Sequence, residues 1–149
     1  MDTKALKLLL VEDSDPDVFL LTKYLSAHES SPSLQRVHNG EQALDCLFRR
    51  NEFSESDYPD AIVLDLNLPR ITGYEILGMI KGVEGVSNIP VIVLSTSHST
   101  IDRERCLAMG AQAYYIKPDD LSGYRELAVH LMNDELPKIC ARNQTSGVH

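Results

Sequence analysis

The feature that most constrains this chain is an alternation: five short β-rich apolar runs, each followed by a longer stretch of helical period. That order is the pattern of a parallel sheet wrapped by helices on both faces. Leu6 to Val11 (LKLLLV) lacks clean two-residue alternation, as expected of a central strand covered on both sides. A helix follows from about Pro16, with Val18, Leu21 and Leu25 at spacings of three and four, and HESSPS breaks it. The more polar run around Leu34 to His38 reads as an edge strand, and NGEQ leads from it into a helix with Ala43, Leu44, Leu47 and Phe48 on one face. Arg49 to Asp60 has no strong period and delivers the chain to Ile62, Val63, Leu64 and Asp65.

NLPRITG is turn-like, and the helix after it keeps Ile76, Leu77 and Ile80 in register. SNIP introduces the strand Val91 to Leu94, and the hydroxyl-rich STSHST is suited to cap a helix running to about Met109 and ended by Gly110. A short strand AYYI reaches Lys117 and Pro118. The last helix is expected over Leu121 to Leu136, with Leu121, Tyr124, Leu127, Ala128 and Leu131 inward. The tail CARNQTSGVH has no apolar period and reads as mobile or as a minor contact element. The expected organisation is one domain over residues 1–136 and a tail over 137–149.

At 149 residues and 43% apolar content the chain has the size and core of a single domain. It contains no run of eighteen apolar residues, and its start, MDTKALKLLLVEDS, turns acidic too soon for a secretory signal, which points to a cytoplasmic protein. Cys46, Cys106 and Cys140 are odd in number and widely spaced, unlike a disulfide framework or a zinc site. The net charge of -8 argues against nucleic acid as a partner and favours basic or apolar surfaces.

In open α/β sheets, functional groups gather outside the carboxyl ends of the strands. Here the first strand ends in Glu12 and Asp13, the third in Asp65 and then Asn67, the fourth in Ser95 and Thr96, and the fifth in Lys117. Two like charges about 4 Å apart repel by roughly 4 kcal/mol at an effective dielectric near 20, so converging carboxylates need a cation. Lys117 is one candidate, and a Mg²⁺ ion on hard oxygen ligands is another. Taken singly, each group has a bland explanation. Glu12 and Asp13 suit a helix cap, Asp65 a loop cap, Ser95 a helix start and Lys117-Pro118 a turn. Their conjunction specifies a chemistry instead: Asp65 as nucleophile toward phosphorus, with a metal, an ammonium and a hydroxyl taking up charge on the transferred group.

The stretches LLLVEDS, IVLDLNLPRITG, PVIVLSTS and AYYIKP, in that order, make the sequence resemble the receiver domain of two-component response regulators over about Lys7 to Leu136. The resemblance implies a flavodoxin-like (CheY-like) doubly wound sheet of order 2-1-3-4-5 with five helices. It makes Asp65 the acceptor of a phosphoryl group from a phosphohistidine of a sensor kinase, in a protein that signals and is not an enzyme. Asp13 matches the direct Mg²⁺ ligand, Glu12 an outer-sphere acid, and the main-chain carbonyl of Asn67 completes the metal site. Ser95 matches the switch hydroxyl, Lys117 the phosphate-binding lysine, Pro118 a residue after a bond that is usually cis, and Tyr114 the switch aromatic. Phosphorylation would draw Ser95 in and let the Tyr114 ring turn inward, repacking the face of the fourth helix, fifth strand and fifth helix.

The long loop before DLNLP and the segment LSTSHST narrow the resemblance to stand-alone receivers served by phytochrome histidine kinases, which often dimerise through that same face. Two positions depart from the pattern. Thr72 stands where an aspartate is common, and Asp119-Asp120 follow Lys117-Pro118 where an apolar residue is frequent. Two other classes compete. A haloacid-dehalogenase-type phosphatase needs an Asp-x-Asp pair on the first strand, whereas the nucleophile candidate here lies on the third and Asn67 takes the plus-two place. A flavodoxin-like cofactor binder needs a hydroxyl-rich phosphate loop where this chain has EDSDPD. Asn67 and Ser97 flank the expected path of a hydrolytic water.

Overall fold

A computed structural model describes residues 6–50 and 57–146. Five parallel strands, β1 (Lys7–Val11), β2 (Ser33–Val37), β3 (Ala61–Asp65), β4 (Val91–Ser95) and β5 (Ala113–Ile116), form one sheet of order β2-β1-β3-β4-β5. Helices α1 (Asp15–Ser26), α2 (Gly40–Leu47), α3 (Gly73–Gly82), α4 (Thr100–Ala108) and α5 (Leu121–His130) connect and follow the strands. This is the flavodoxin-like arrangement the sequence implies, with β2 at an edge.

Successive strand residues point to opposite faces, and both faces are covered. Leu9, Val11, Ile62, Leu64, Val91 and Val93 pack with Ala43 and Leu47 of α2, Ile76, Leu77 and Ile80 of α3, and Cys106 of α4. Leu8, Leu10, Val63, Ile92 and Leu94 pack on the other side with Leu21 and Leu25 of α1 and with Tyr124, Leu127 and Ala128 of α5. Cys46 and Cys106 are buried free thiols and Cys140 is an exposed one.

The helix starts are set by side chains that take up otherwise unpaired N–H groups. Ser14 caps α1, Asn39 caps α2, Ser99 from the STSHST segment caps α4, and Asp120 caps α5 by accepting from Gly123 N. Thr72 and Asp120, two of the residues that depart from the pattern, thereby acquire a role. Thr72 forms a reciprocal capping box with Glu75 at the start of α3, and Asp120 spends its charge at a helix N-terminus, not on an open edge.

Two expectations about the last helix need correction. Leu121, expected inward, is 55% exposed: it is the first residue of α5, beside the Asp120 cap, and Tyr124 is the residue of that turn that packs into the core. The helix also does not stop at Leu136. A π-helical turn, Leu131–Glu135, carries α5 into a sixth helix, α6 (Leu136–Ser146), so the described part of the tail is helical and buries Leu136 and Ile139. Residues 147–149 lie outside the described residues.

Candidate functional site

At the carboxyl end of the sheet, the strand ends bring together the residues that the sequence singles out. Glu12 and Asp65 are each 2% exposed, Ser95 is buried, and Asp13 faces solvent. One carboxylate oxygen from each of Glu12, Asp13 and Asp65 lies within 4.8 Å of the others. The Lys117 ammonium approaches Glu12 Oε1 at 2.7 Å and Asp65 Oδ2 at 3.2 Å. Its backbone is fixed because Lys117 N donates to Ser95 O at 2.7 Å, one step past the end of β5.

One ammonium does not offset this much negative charge. Burial pushes the Glu12 carboxyl up to about 8 against the hydrogen bond from Lys117, with the Asp65 charge adding to the rise. Burial alone would lower the Lys117 ammonium, but Glu12, Asp65 and Asp17 hold it well above its usual value. An all-oxygen donor set with surplus negative charge fits a hard divalent cation, with Asp13 as the solvent-facing ligand.

The loop after β3 holds Asp65 in place. Asn67 N donates to Asp65 Oδ1 at 3.0 Å, and Asn67 Nδ2 donates to Thr96 Oγ1 at 3.0 Å, tying the β3 loop to the β4 loop. Glycine is required at the start of α3, since a Cβ on Gly73 would lie 2.5 Å from both Asp65 O and Leu66 Cα. That close approach seats the start of α3 directly against the backbone of Asp65 and Leu66.

Ser95 Oγ accepts from Ser97 N at 3.1 Å, and Tyr114 OH donates to Ser97 O at 2.9 Å. Tyr114 is only 9% exposed, so its ring sits inward here. The hydroxyl's bond to a fixed carbonyl accounts for this position. Ser97 Oγ donates to Asp102 at 2.6 Å and Tyr74 OH donates to the same carboxylate at 2.8 Å, which together hold it below its ordinary value. The Lys117-Pro118 bond is trans, as are all described peptide bonds, whereas the resemblance implies cis. Trans is the intrinsic preference by about 0.5–1 kcal/mol.

Two participants escaped the sequence reading. Asp17 of α1 lies 3.2 Å from the Lys117 ammonium through one oxygen and accepts from Tyr124 OH of α5 at 2.7 Å through the other. As an acid in the first turn of a helix, Asp17 carries no distinguishing signal in sequence.

The five-stranded sheet with buried Asp65 and an acidic cluster at its rim is the arrangement of a receiver domain, and the comparison with known families agrees: the response regulator receiver domain matches residues 8–128, so the chain belongs to that family. Among curated relatives, the response regulator Rcp1 of Synechocystis sp. is 35% identical over 114 residues, covering 76% of this chain and 78% of that one. The crystal structure of the phosphorylated cyanobacterial phytochrome response regulator RcpA superposes with a TM-score of 0.80 at 31% identity, over 86% of this chain and 93% of that one. The Mn²⁺-bound form of Rcp1 gives a TM-score of 0.81 at 31% identity, over 87% and 93%.

Proposed function

We propose that this chain is a phosphoacceptor: Asp65 takes a phosphoryl group from a phosphohistidine of a sensor histidine kinase, in a Mg²⁺-dependent phosphorelay. The observation that carries the reading is the buried Asp65 set between one ammonium and two further carboxylates at the sheet rim. An Asp65 carboxylate oxygen attacks phosphorus in line, the phosphorus–nitrogen bond breaks, and the imidazole leaves with its electron pair. A Mg²⁺ ion on Asp13, Asp65 and the Asn67 carbonyl, with Glu12 in its outer sphere, supplies charge neutralisation when bound. Lys117 and the Ser95 hydroxyl are placed to bind the oxygens of the transferred group. Asn67 bears an amide engaged with Thr96 in place of a second acid, which favours a stored phosphoryl group over rapid hydrolysis.

The likeness to Rcp1 and RcpA supports a phytochrome kinase as donor and a cytoplasmic setting. We assign output to the face of α4, β5 and α5, where Ile101, Ile116 and Leu121 are exposed and suit a homodimer contact. Phosphorylation acts there by drawing the Ser95 hydroxyl toward the phosphoryl group, which biases the Ser97 loop and the inward position of the Tyr114 ring bonded to it.

Incubation with acetyl phosphate and Mg²⁺ followed by intact-mass measurement tests the reading. One phosphoryl adduct is expected, absent in Asp65→Asn and suppressed by chelator. An adduct that persists in Asp65→Asn removes the assignment, and full yield under chelation removes the metal site. Tyr114→Ala should still be phosphorylated while its dimerisation, followed by sedimentation, changes; equal association in both phosphorylation states would count against the switch.

A further inference from the structure

We propose that Asp17 is a positioning residue: with Tyr124 it shares the Lys117 ammonium with Glu12 and Asp65, so that the ammonium does not settle fully on Asp65 before a phosphoryl group arrives. The proposal rests on the phosphoacceptor reading above and concerns how the lysine is kept ready.

A lysine ammonium has three protons to donate, and here three carboxylates surround it: Glu12 at 2.7 Å, Asp65 at 3.2 Å and Asp17 at 3.2 Å. Glu12 and Asp65 come from the ends of neighbouring strands β1 and β3, whereas Asp17 comes from the first turn of α1, a separate element that competes for the same ammonium. Without that competition, a flexible four-carbon stem would settle over Asp65 and cover the oxygen that must attack. Asp17 is itself firmly placed. Its backbone N donates to the Ser14 cap at 3.3 Å, and its free oxygen accepts from the buried Tyr124 hydroxyl at 2.7 Å. Both oxygens of a first-turn acid are thus occupied, which a merely solvated helix-start charge would not show. When the phosphoryl group adds negative charge beside Asp65, the ammonium gains a stronger partner there and can leave Asp17. Because Tyr124 belongs to α5, the release is also felt at the seam between α1 and α5.

The test uses Asp17→Asn, Tyr124→Phe and their double variant, each also in a Lys117→Arg background, with adduct formation from acetyl phosphate and Mg²⁺ timed by intact mass. Asp17→Asn should slow formation about tenfold and Tyr124→Phe about threefold, as expected for a displaced catalytic group. The double variant should match Asp17→Asn alone, and the Asp17→Asn effect should shrink to within about twofold beside Lys117→Arg. An independent readout needs no phosphorylation: amine labelling followed by peptide mass spectrometry should show Lys117 labelled at least about threefold faster in Asp17→Asn, with Lys23 unchanged. Additive effects, an undiminished Asp17→Asn effect beside Lys117→Arg, or unchanged Lys117 labelling would each overturn the tether. Loss of the adduct in every protein, wild type included, with Lys117 labelling still raised would instead remove the phosphoacceptor reading and leave the tether standing.

Discussion

Asp17 is 30% exposed through its side chain, and burial by itself would raise its carboxyl, yet hydrogen bonds from Tyr124 and Lys117 hold it below its ordinary 3.8. A carboxyl depressed on folding stabilises the native state fully above its unfolded value, and that contribution is lost as pH falls through the folded value. Asp17→Asn should therefore cost about 1–2 kcal/mol near neutral pH, with the gap to wild type closing as pH drops below about 4. Urea unfolding from pH 7 to 3 measures it, and a gap constant across that range would show that the charge is not involved. The same residue marks the limit of reading single letters. Glu12, Asp13, Asp65 and Lys117 were legible because each ends an apolar run, and parallel strands must deliver such residues to one rim. Asp17 and Tyr124 were not, since their meaning comes from helices α1 and α5 meeting across 107 positions of chain. Tyr114 lies between these cases: its position in AYYIKP marks it as the switch candidate, but its hydrogen bond to the Ser97 carbonyl depends on a loop conformation that no local pattern encodes.

The central strands were easy to place because a doubly covered strand is apolar throughout, and the cap of α4 because the STSHST segment is rich in hydroxyls, whereas the caps Ser14, Thr72 and Asp120 stand among other polar residues that could equally serve. The end of the last helix was hidden by a change of period. Buried positions run Leu127, Leu131, Leu136 and Ile139, and the gap of five between Leu131 and Leu136 falls in the π-helical turn, where Leu136 N donates to Leu131 O. Pro137 adds to the disguise: inside an ordinary helix it would press on the carbonyl four residues back, and the widened turn gives it room. The turn is anchored by buried Glu135, which accepts from the Tyr115 hydroxyl and from Gln112 Nε2, the latter at 2.9 Å. Glu135→Ala should leave both donors unpaired in a half-buried site and cost about 2–3 kcal/mol, read from urea midpoints. Glu135→Gln should recover part of that loss, and equal stability of all three proteins would mean that apolar packing of Leu136 and Ile139 alone holds α6. Thr72→Ala, which opens the capping box of α3, should cost about 1 kcal/mol by the same measurement, and no loss would show that the packing of Gly73 against Leu66 suffices to start the helix.

At the scale of the whole molecule, a donor kinase of the kind proposed above would have to bring a phosphohistidine to a rim recessed among carboxylates, so it would need a foothold beside the site that is not acidic. The surface offers one next to α1. A groove of about 850 Å³ between α1 and β2 is lined by Val18, Phe19 and Thr22, with Lys23, Arg36 and His38 at its edges and Asp15 toward the rim. Phe19 is 65% exposed, an unusual outlay of aromatic surface for a chain with so few aromatic residues, and it lies on the helix whose start supplies Asp17. Arg36 is pinned by bonds to Glu12 O at 2.9 Å and to Asp15 at 2.8 Å, which makes the β2 wall of the groove rigid and connects it to the acidic cluster. An aromatic anchor beside a fixed cationic wall suits the apolar stripe of a kinase helix. Phe19→Ser should therefore lower the rate of phosphotransfer from the kinase about tenfold or more, while phosphorylation by acetyl phosphate, which needs no docking, stays within about twofold of wild type. An equal loss with both donors would place the defect in the site itself, and no loss with either would move the kinase contact to another face of the domain.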